Sequence, residues 1–358
     1  MQARPQGQSL PQAEESQAAA SSGGQIPVPR LRLAVLYVVF FLIAAGLGYP
    51  ALNRYDPRLV PGLSDVQSYA AMVTGTSVPG PEHMKFRVLI PWMARPLYRL
   101  ADGRVGSWDP VMFALVAVDS FFVAATALLI VRLGTRIVGG YPVALIGALL
   151  YLVNFAVPNM RLVGLVDAGE GFFLLAIYLC LSELEFWMLP FIAILGALTK
   201  ESFVPFSIIF MGGWWVVMRK RLSRTGAAWI IASWISSFGA IGILHYAVSG
   251  HFESPLALVE SLRGNANYLA HFASSLWDRN FWYVFAWLLP LGIPRLKRFP
   301  KDWLIPAAAT CVVVFVLDGY YGGAPGTVGR ALFSIAGPLL ALSSAELLAS
   351  GKSAGAVC

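Results

Sequence analysis

The sequence predicts an all-α, polytopic transmembrane helical bundle of about ten spans, with an extracytoplasmic first loop containing interfacial helices. Three observations predict it. Of the 358 residues, 57% are hydrophobic and 13% charged, where a soluble domain carries roughly 25% charge. The apolar residues come in runs of about 16 to 22, the length a helix needs to cross a hydrocarbon layer about 30 Å thick. Basic residues stand at the ends of these runs and form no stripe with interleaved aromatics, so the formal charge of +7 reads as a topology signal and not as a nucleic-acid footprint. The cysteines, Cys180, Cys311 and Cys358, are far apart without CxxC or Cys/His ligand spacing, which speaks against a disulfide framework or a zinc site.

Residues 1–29 are rich in Gln, Ser, Ala, Gly and Pro and have too little apolar surface to offset the entropy of ordering. They read as a disordered cytoplasmic tail, and residues 30–350 as the transmembrane domain. The first apolar run, 32–52, follows Arg30 and Arg32, exceeds a signal-peptide core and lacks a small-x-small cleavage site, so it reads as an uncleaved span. Residues 53–109 form the longest polar region and the expected extracytoplasmic loop. Within it VLIPWMARPLYRL (88–100) mixes apolar and basic residues too densely to span and suits a helix lying at the interface. Further spans are expected at 110–131, 141–158, 168–185, 187–199, 203–218, 226–248, 279–295, 303–318 and 328–348.

Lys and Arg in short loops are retained on the cytoplasmic side. With a cytoplasmic amino terminus the inside breaks are RLGTR (132–136), SELEF (182–186), RKRLSR (219–224) and RLKRFPK (295–301), and three of these four are strongly basic. SELEF alone gives no support. The basic residues of 53–109 weigh little against this, because long loops translocate largely regardless of charge. No repeat of 20 to 50 residues, and no pair of pseudo-symmetric halves, is evident.

In this orientation Asp65, Glu82, His83, Arg87, Arg161, Asp167, Glu170, Lys200, Glu201, Asp318 and Arg330 fall at one face, although they come from four separate breaks. Charges near the hydrocarbon edge are costly unless paired or wet, so the grouping suggests a polar cavity, with ordinary loop charges as the alternative. If GLSDVQSYAAM (62–72) is helical, Asp65 and Tyr69 share one face. There the carboxylate can act as a general base, hold a divalent cation (Mg or Mn), or merely cap the helix. Arg87, ahead of the interfacial helix, can pair with a carboxylate or a phosphate, or meet lipid head groups. Asp167 and Glu170 are neighbours at a helix start, where capping alone explains Glu170 well.

Lys200 and Glu201 interrupt an apolar run that otherwise extends from about 187 to 217, too long for one span and right for two short ones. Adjacent residues on a helix point about 100° apart, so these two are expected to serve different partners: Lys200 a phosphate, Glu201 a nearby Arg. DGYYGGAPGTVGR (318–330) sets flexible backbone beside Tyr320, Tyr321 and Arg330, suited to closing over a saccharide or to a plain mobile turn. The histidines have no ligand spacing, and Asp119, inside a span, must face protein or water.

GLSDVQSYAAM followed by KFRVLIPWMARPLY, then LVDAGEGFFLLAIYL, GALTKESFVPF and VGRALFSIAGPLL, resembles the GT-C superfamily of integral membrane glycosyltransferases. The resemblance covers most of 33–345. It implies a lipid-linked sugar donor on a polyprenyl phosphate, inverting transfer to the hydroxyl of a glycan, lipid or protein acceptor, and a bacterial cytoplasmic (inner) membrane location among membrane lipids. By the same resemblance Asp65 is the catalytic base. Arg87, Arg161, Lys200 and Arg330 face the donor phosphate, and Tyr69, Asp167 and Glu201 contact the acceptor or the network. The chain departs from that family in having no adjacent acidic pair after the first span, Asp56 and Asp65 lying nine apart. A transporter or flippase of a lipid-linked or anionic solute, or a noncatalytic assembly subunit, are the other classes that fit. Reporter fusions after residues 165 and 200 are expected to appear outside and one after 222 inside; cytoplasmic signals from the first two would scatter the group.

Overall fold

The computed structural model describes residues 30–54, 64–79, 82–250, 268–321 and 327–350. The expected tail at 1–29, Asp56 and the glycine-rich stretch 322–326 lie outside the described residues, as do the side chains of Glu82, His83, Asp318, Tyr320 and Tyr321. The described residues form helices and no strand. In chain order these are α1 (Arg30–Arg54), α2 (Ser64–Thr74), α3 (Leu89–Ala101), α4 (Pro110–Ile137), α5 (Tyr141–Leu152), α6 (Asp167–Glu183), α7 (Leu189–Thr199) and α8 (Phe203–Met218). Then follow α9 (Arg224–Ser249), α10 (Tyr268–Leu276), α11 (Arg279–Phe285), α12 (Leu288–Leu296), α13 (Lys301–Tyr321) and α14 (Thr327–Ser350).

Among the described residues four helices, α1, α4, α9 and α14, are long and apolar enough to cross a bilayer. They divide by burial. In α4 and α14, 72% and 78% of the spanning window is buried, against 17% and 22% in α1 and α9. The first pair is therefore the core of the bundle and the second its apolar rim, as expected of a chain whose solvent is hydrocarbon. Around α14 are packed α5, α6, α11, α12 and α13, while α4 carries α1, α3, α5 and α6.

With little hydrophobic drive between helices in lipid, close packing of small residues has to hold such a core. At Gly147 a Cβ would come within 2.8 Å of Leu342 Cδ2 and 3.2 Å of its Cα, and at Gly134 within 2.5 Å of Leu342 Cδ2. The two glycines let α4, α5 and α14 meet around one leucine. Local signals set the helix starts. Asp109 accepts from the Val111 and Met112 amides, both at 2.9 Å, with Pro110 opening α4, and Ser223 caps α9 through the Gly226 amide at 3.0 Å.

The expected runs at 141–158 and 279–295 are not continuous helices. The first stops at Leu152, where the Asn154 side chain accepts from the Ala156 amide at 2.9 Å and donates to the Val284 carbonyl at 2.9 Å. That side chain offers the backbone another partner than the helix, and the chain resumes as a single π turn, Val157–Arg161. The second breaks between α11 and α12 at Ala286 and Trp287. In a continuous helix the ring of Pro290 would collide with the carbonyl four residues earlier, that of Ala286, and would have no N–H to offer it. α3 takes the amphipathic form expected of it, burying Ile90, Pro91, Ala94 and Ala101 and exposing Trp92 and Leu100.

The two ends of the bundle are both charged. α6 runs from Asp167 to Glu183, a rise of about 24 Å at 1.5 Å per residue, close to the hydrocarbon thickness of a membrane. At the Glu183 end that carboxylate takes Arg132 at 2.6 Å and Arg136 at 2.8 Å, and Arg298 pairs with Glu346 at 2.8 Å. The break that offered no positive charge thus supplies the counter-ion for its basic neighbour. Replacing Gly147 by Val should lower the unfolding midpoint in detergent, with a cost of about 1–3 kcal/mol for overpacking; an unchanged midpoint would show that Leu342 can move aside.

Candidate functional site

Charged side chains from five segments converge at the other end, where α6, α8 and α14 begin and α7 ends. The starts of these three helices bring unpaired N–H groups and the positive ends of their dipoles to one place, which favours carboxylates there. The turn between α7 and α8 is made by proline and by backbone. Pro205, in the first turn of α8, excludes a helical path through Glu201. Lys200 is accordingly extended, with φ −163° and ψ 139°, and its carbonyl accepts from the Phe203 amide at 3.1 Å. That bend sends Lys200 and Glu201 to different sides.

Glu201 joins the outer limb. Its Oε2 lies 2.9 Å from Arg87 Nε, and Arg87 Nη1 donates to the Tyr69 hydroxyl at 3.0 Å. The Tyr69 hydroxyl in turn donates to Met84 Sδ at 3.7 Å. Burial pushes the Tyr69 phenol well above its ordinary range, with Arg87 pulling in the opposite direction, so Tyr69 is neutral at pH 7. Asp65 occupies the first turn of α2, one turn before Tyr69, and its charge acts on that phenol. The second oxygen of Glu201, Oε1, is buried and has no hydrogen-bond partner among the described residues.

Lys200 joins the inner limb. Its ammonium sits 2.8 Å from Asp167 Oδ1 and 3.3 Å from Glu170 Oε2, and the Ser202 hydroxyl donates to Glu170 Oε1. Asp167 Oδ2 faces Arg330 Nη1 at 3.5 Å. Burial opposes ionisation of Asp167, but Lys200 and Arg330 outweigh it and hold the carboxyl well below the usual carboxylate range. Asp167 is therefore ionised, and its stabilising contribution is full above about pH 3.9 and fades only as the pH falls toward the folded-state value.

Arg161 is fully buried and serves as a brace. Its guanidinium donates to the main-chain carbonyl of Asp167 and to Ser334 Oγ at 2.7 Å, and lies 5.2 Å from the centre of the Phe333 ring. It has room because residue 171 is glycine: a Cβ there would meet Arg161 Nη1 at 2.5 Å. The loop carrying Arg161 into place turns at Gly164, whose φ of +75° is in the left-handed region. Its amide donates to Asp119 Oδ2 at 3.1 Å. Asp119 thus faces protein, with its Oδ1 unpartnered among the described residues.

The structure brings together Tyr69, Arg87, Arg161, Asp167, Lys200, Glu201 and Arg330, and Asp65 adjoins them through Tyr69. One partnership matches the sequence reading, Glu201 with an arginine, whereas Lys200, expected to face a phosphate, is held by the carboxylates of Asp167 and Glu170. Glu170, read from sequence as a plain cap, is fully buried and holds both Lys200 and Ser202. Ser202 and Ser334 carry no sequence signal at all. His245 stacks on Phe86 with centroids 3.6 Å apart and planes at 15°, packing α9 against the residue before Arg87.

No group of three His, Cys, Asp or Glu side chains able to hold a metal occurs among the described residues. The two carboxylates that lie close, Asp167 and Glu170, already share an ammonium, so they do not fit a divalent cation. The chain has no significant match among family models, curated proteins or solved structures.

Removing the Lys200 ammonium leaves two buried carboxylates facing each other, and Lys200→Met should destabilise the chain by about 3–5 kcal/mol. Adding Asp167→Asn and Glu170→Gln should restore most of the loss. A triple variant no more stable than Lys200→Met, by denaturant unfolding in the same detergent, would break the pairing argument.

Proposed function

We propose that this chain is an integral membrane glycosyltransferase of GT-C type, built as about ten spans, which moves a sugar from a polyprenyl-phosphate donor to an acceptor hydroxyl at the extracytoplasmic face. The observation that supports the reading is the convergence of Arg87, Lys200 and Arg330 with the carboxyl groups of Glu201 and Asp167 at one rim of an apolar bundle. A lipid phosphate presents its charge at that depth, and a sugar hydroxyl seeks acceptors such as Glu201 Oε1 beside it.

Roles follow from how firmly each group is held. Lys200 and Arg87 are engaged by partners at 2.8–3.0 Å and act by fixing the site's shape. Arg330 has one side-chain ion pair among the described residues, at 3.5 Å, and its side chain is 20% exposed, so it is the cation that turns to a donor phosphate. Asp65 takes the proton of the acceptor hydroxyl, whose oxygen attacks the anomeric carbon. The bond from that carbon to the phosphate oxygen breaks, and the polyprenyl phosphate leaves with the electron pair, stabilised by Arg330. No step is assigned to a divalent cation.

One observation favours a transporter or flippase instead: Asp119 is buried nine residues into α4, about 13 Å along the helix axis and hence nearer the midplane, where such proteins place polar residues. The test is incubation of the purified protein with a panel of polyprenyl-phosphate sugars, reading carrier release. Asp65→Asn should abolish transfer with insertion and folding intact, and Arg330→Ala should weaken donor binding more than Arg330→Lys. Undiminished transfer by Asp65→Asn removes Asp65 from the mechanism; solute uptake without carrier release favours the transporter.

A further inference from the structure

The second charged end of the bundle is neutralised unevenly. Arg132 and Arg136 share Glu183, Arg298 has Glu346, and Arg295 donates to Ser350 Oγ at 2.6 Å. Glu185 accepts from Trp187 Nε1 at 2.9 Å. In the turn from α8 to α9, by contrast, Arg219, Lys220, Arg221 and Arg224 are all exposed, and none has a carboxylate partner among the described residues. Four like charges within six residues repel one another, so the turn gains from an external anion.

An open surface groove of about 570 Å3 runs along this turn, lined by the consecutive residues Val216, Val217, Met218, Arg219, Lys220 and Arg221. The lining changes from apolar to cationic within one step of the chain. Val216 is exposed, and beside it Trp215 stacks on Trp234 of α9 with centroids 6.0 Å apart and planes at 24°, with Trp229 also exposed. Tryptophans of this kind sit at the boundary between acyl chains and head groups. A ligand that satisfies both halves of the lining has a hydrocarbon chain joined to an anionic group at that boundary.

We propose that the α8–α9 turn binds the head group of an anionic phospholipid, its phosphate among Arg219, Lys220, Arg221 and Arg224 and its acyl chains along Val216 and the tryptophans. This site lies on the opposite end of α8 from Lys200, so it is independent of the proposed catalytic site. Charge complementarity selects the occupant, because a zwitterionic head group brings its own cation into the cluster.

The full chain is purified from membranes into detergent, exchanged into nanodiscs of phosphatidylcholine doped with phosphatidylglycerol, and the lipid retained after mild delipidation is measured by mass spectrometry. Phosphatidylglycerol should be retained over phosphatidylcholine, and Arg219→Gln, Lys220→Gln and Arg221→Gln should each reduce that preference roughly fivefold. The charge-keeping set Arg219→Lys, Lys220→Arg and Arg221→Lys should retain it. Equal retention of the two lipids by the native chain, or an undiminished preference in the combined Gln variant, overturns the proposal. If the Gln variants fail to insert, the native chain decides alone: preference must fall steeply between low and high salt, and a salt-independent preference counts against it.

Discussion

The Lys200 ammonium, held between Asp167 and Glu170, is the interaction on which the charged end of the bundle depends. Both carboxylates are buried at the start of one helix, and three residues apart they are neighbours on its surface. Together they repel, and each alone is expensive to keep ionised away from water. One cation between them removes both costs, and it can come only from a residue that stands off the helix axis at that level. The extended backbone at Lys200 puts it there, so a proline-directed break in an apolar run and a buried acidic pair are two halves of one arrangement. Glu201, turned the other way by the same break, ties in Arg87 and through it α2.

That coupling places the charged residues in two layers joined by α6 and α8, about 24 Å apart along each helix. The layers differ in kind. At the Glu183 end the pairs are half exposed, Arg132 and Arg136 being about half open to solvent although the Glu183 they share is mostly buried. At the Asp167 end they are buried, so their geometry is fixed and costly to disturb. Buried charge therefore shapes the Asp167 end more firmly than exposed charge shapes the other.

Much of this was legible in the sequence, and what was not has identifiable causes. Most helix positions followed from the apolar runs, but among the described residues only four helices reach spanning length, because turns such as those at Asn154 and Lys200 cut the other runs short. The break within 279–295 was missed because an apolar run hides its prolines: Pro290 changes hydropathy little but removes a hydrogen bond and a conformer. The pairing of Glu201 with an arginine was readable because adjacent residues cannot face one partner. Glu170 was undervalued, since an acidic residue in a first helical turn has a sufficient local explanation and its contact to Lys200 spans 30 residues. Arg161 was grouped with the other cations for its charge, yet only packing against Gly171 and Phe333 reveals it as a brace.

The distinction between brace and ligand group is the step that charge counting cannot make. A cation already satisfied at 2.8 Å by a buried carboxylate gains little from a second anion, because approach of that anion must first overcome the existing pair and the field of its partners. A cation at 3.5 Å from a carboxylate that a nearer ammonium also holds gives up less on turning away, even though Arg330 helps Lys200 to keep Asp167 ionised. Arg330 is in that position, at the start of α14 and on the open side of the cluster, where the helix dipole also favours an arriving anion. In the proposed mechanism the Lys200–Asp167 pair gives Arg330, itself part of the inner limb, a fixed point to rest against until an anion arrives.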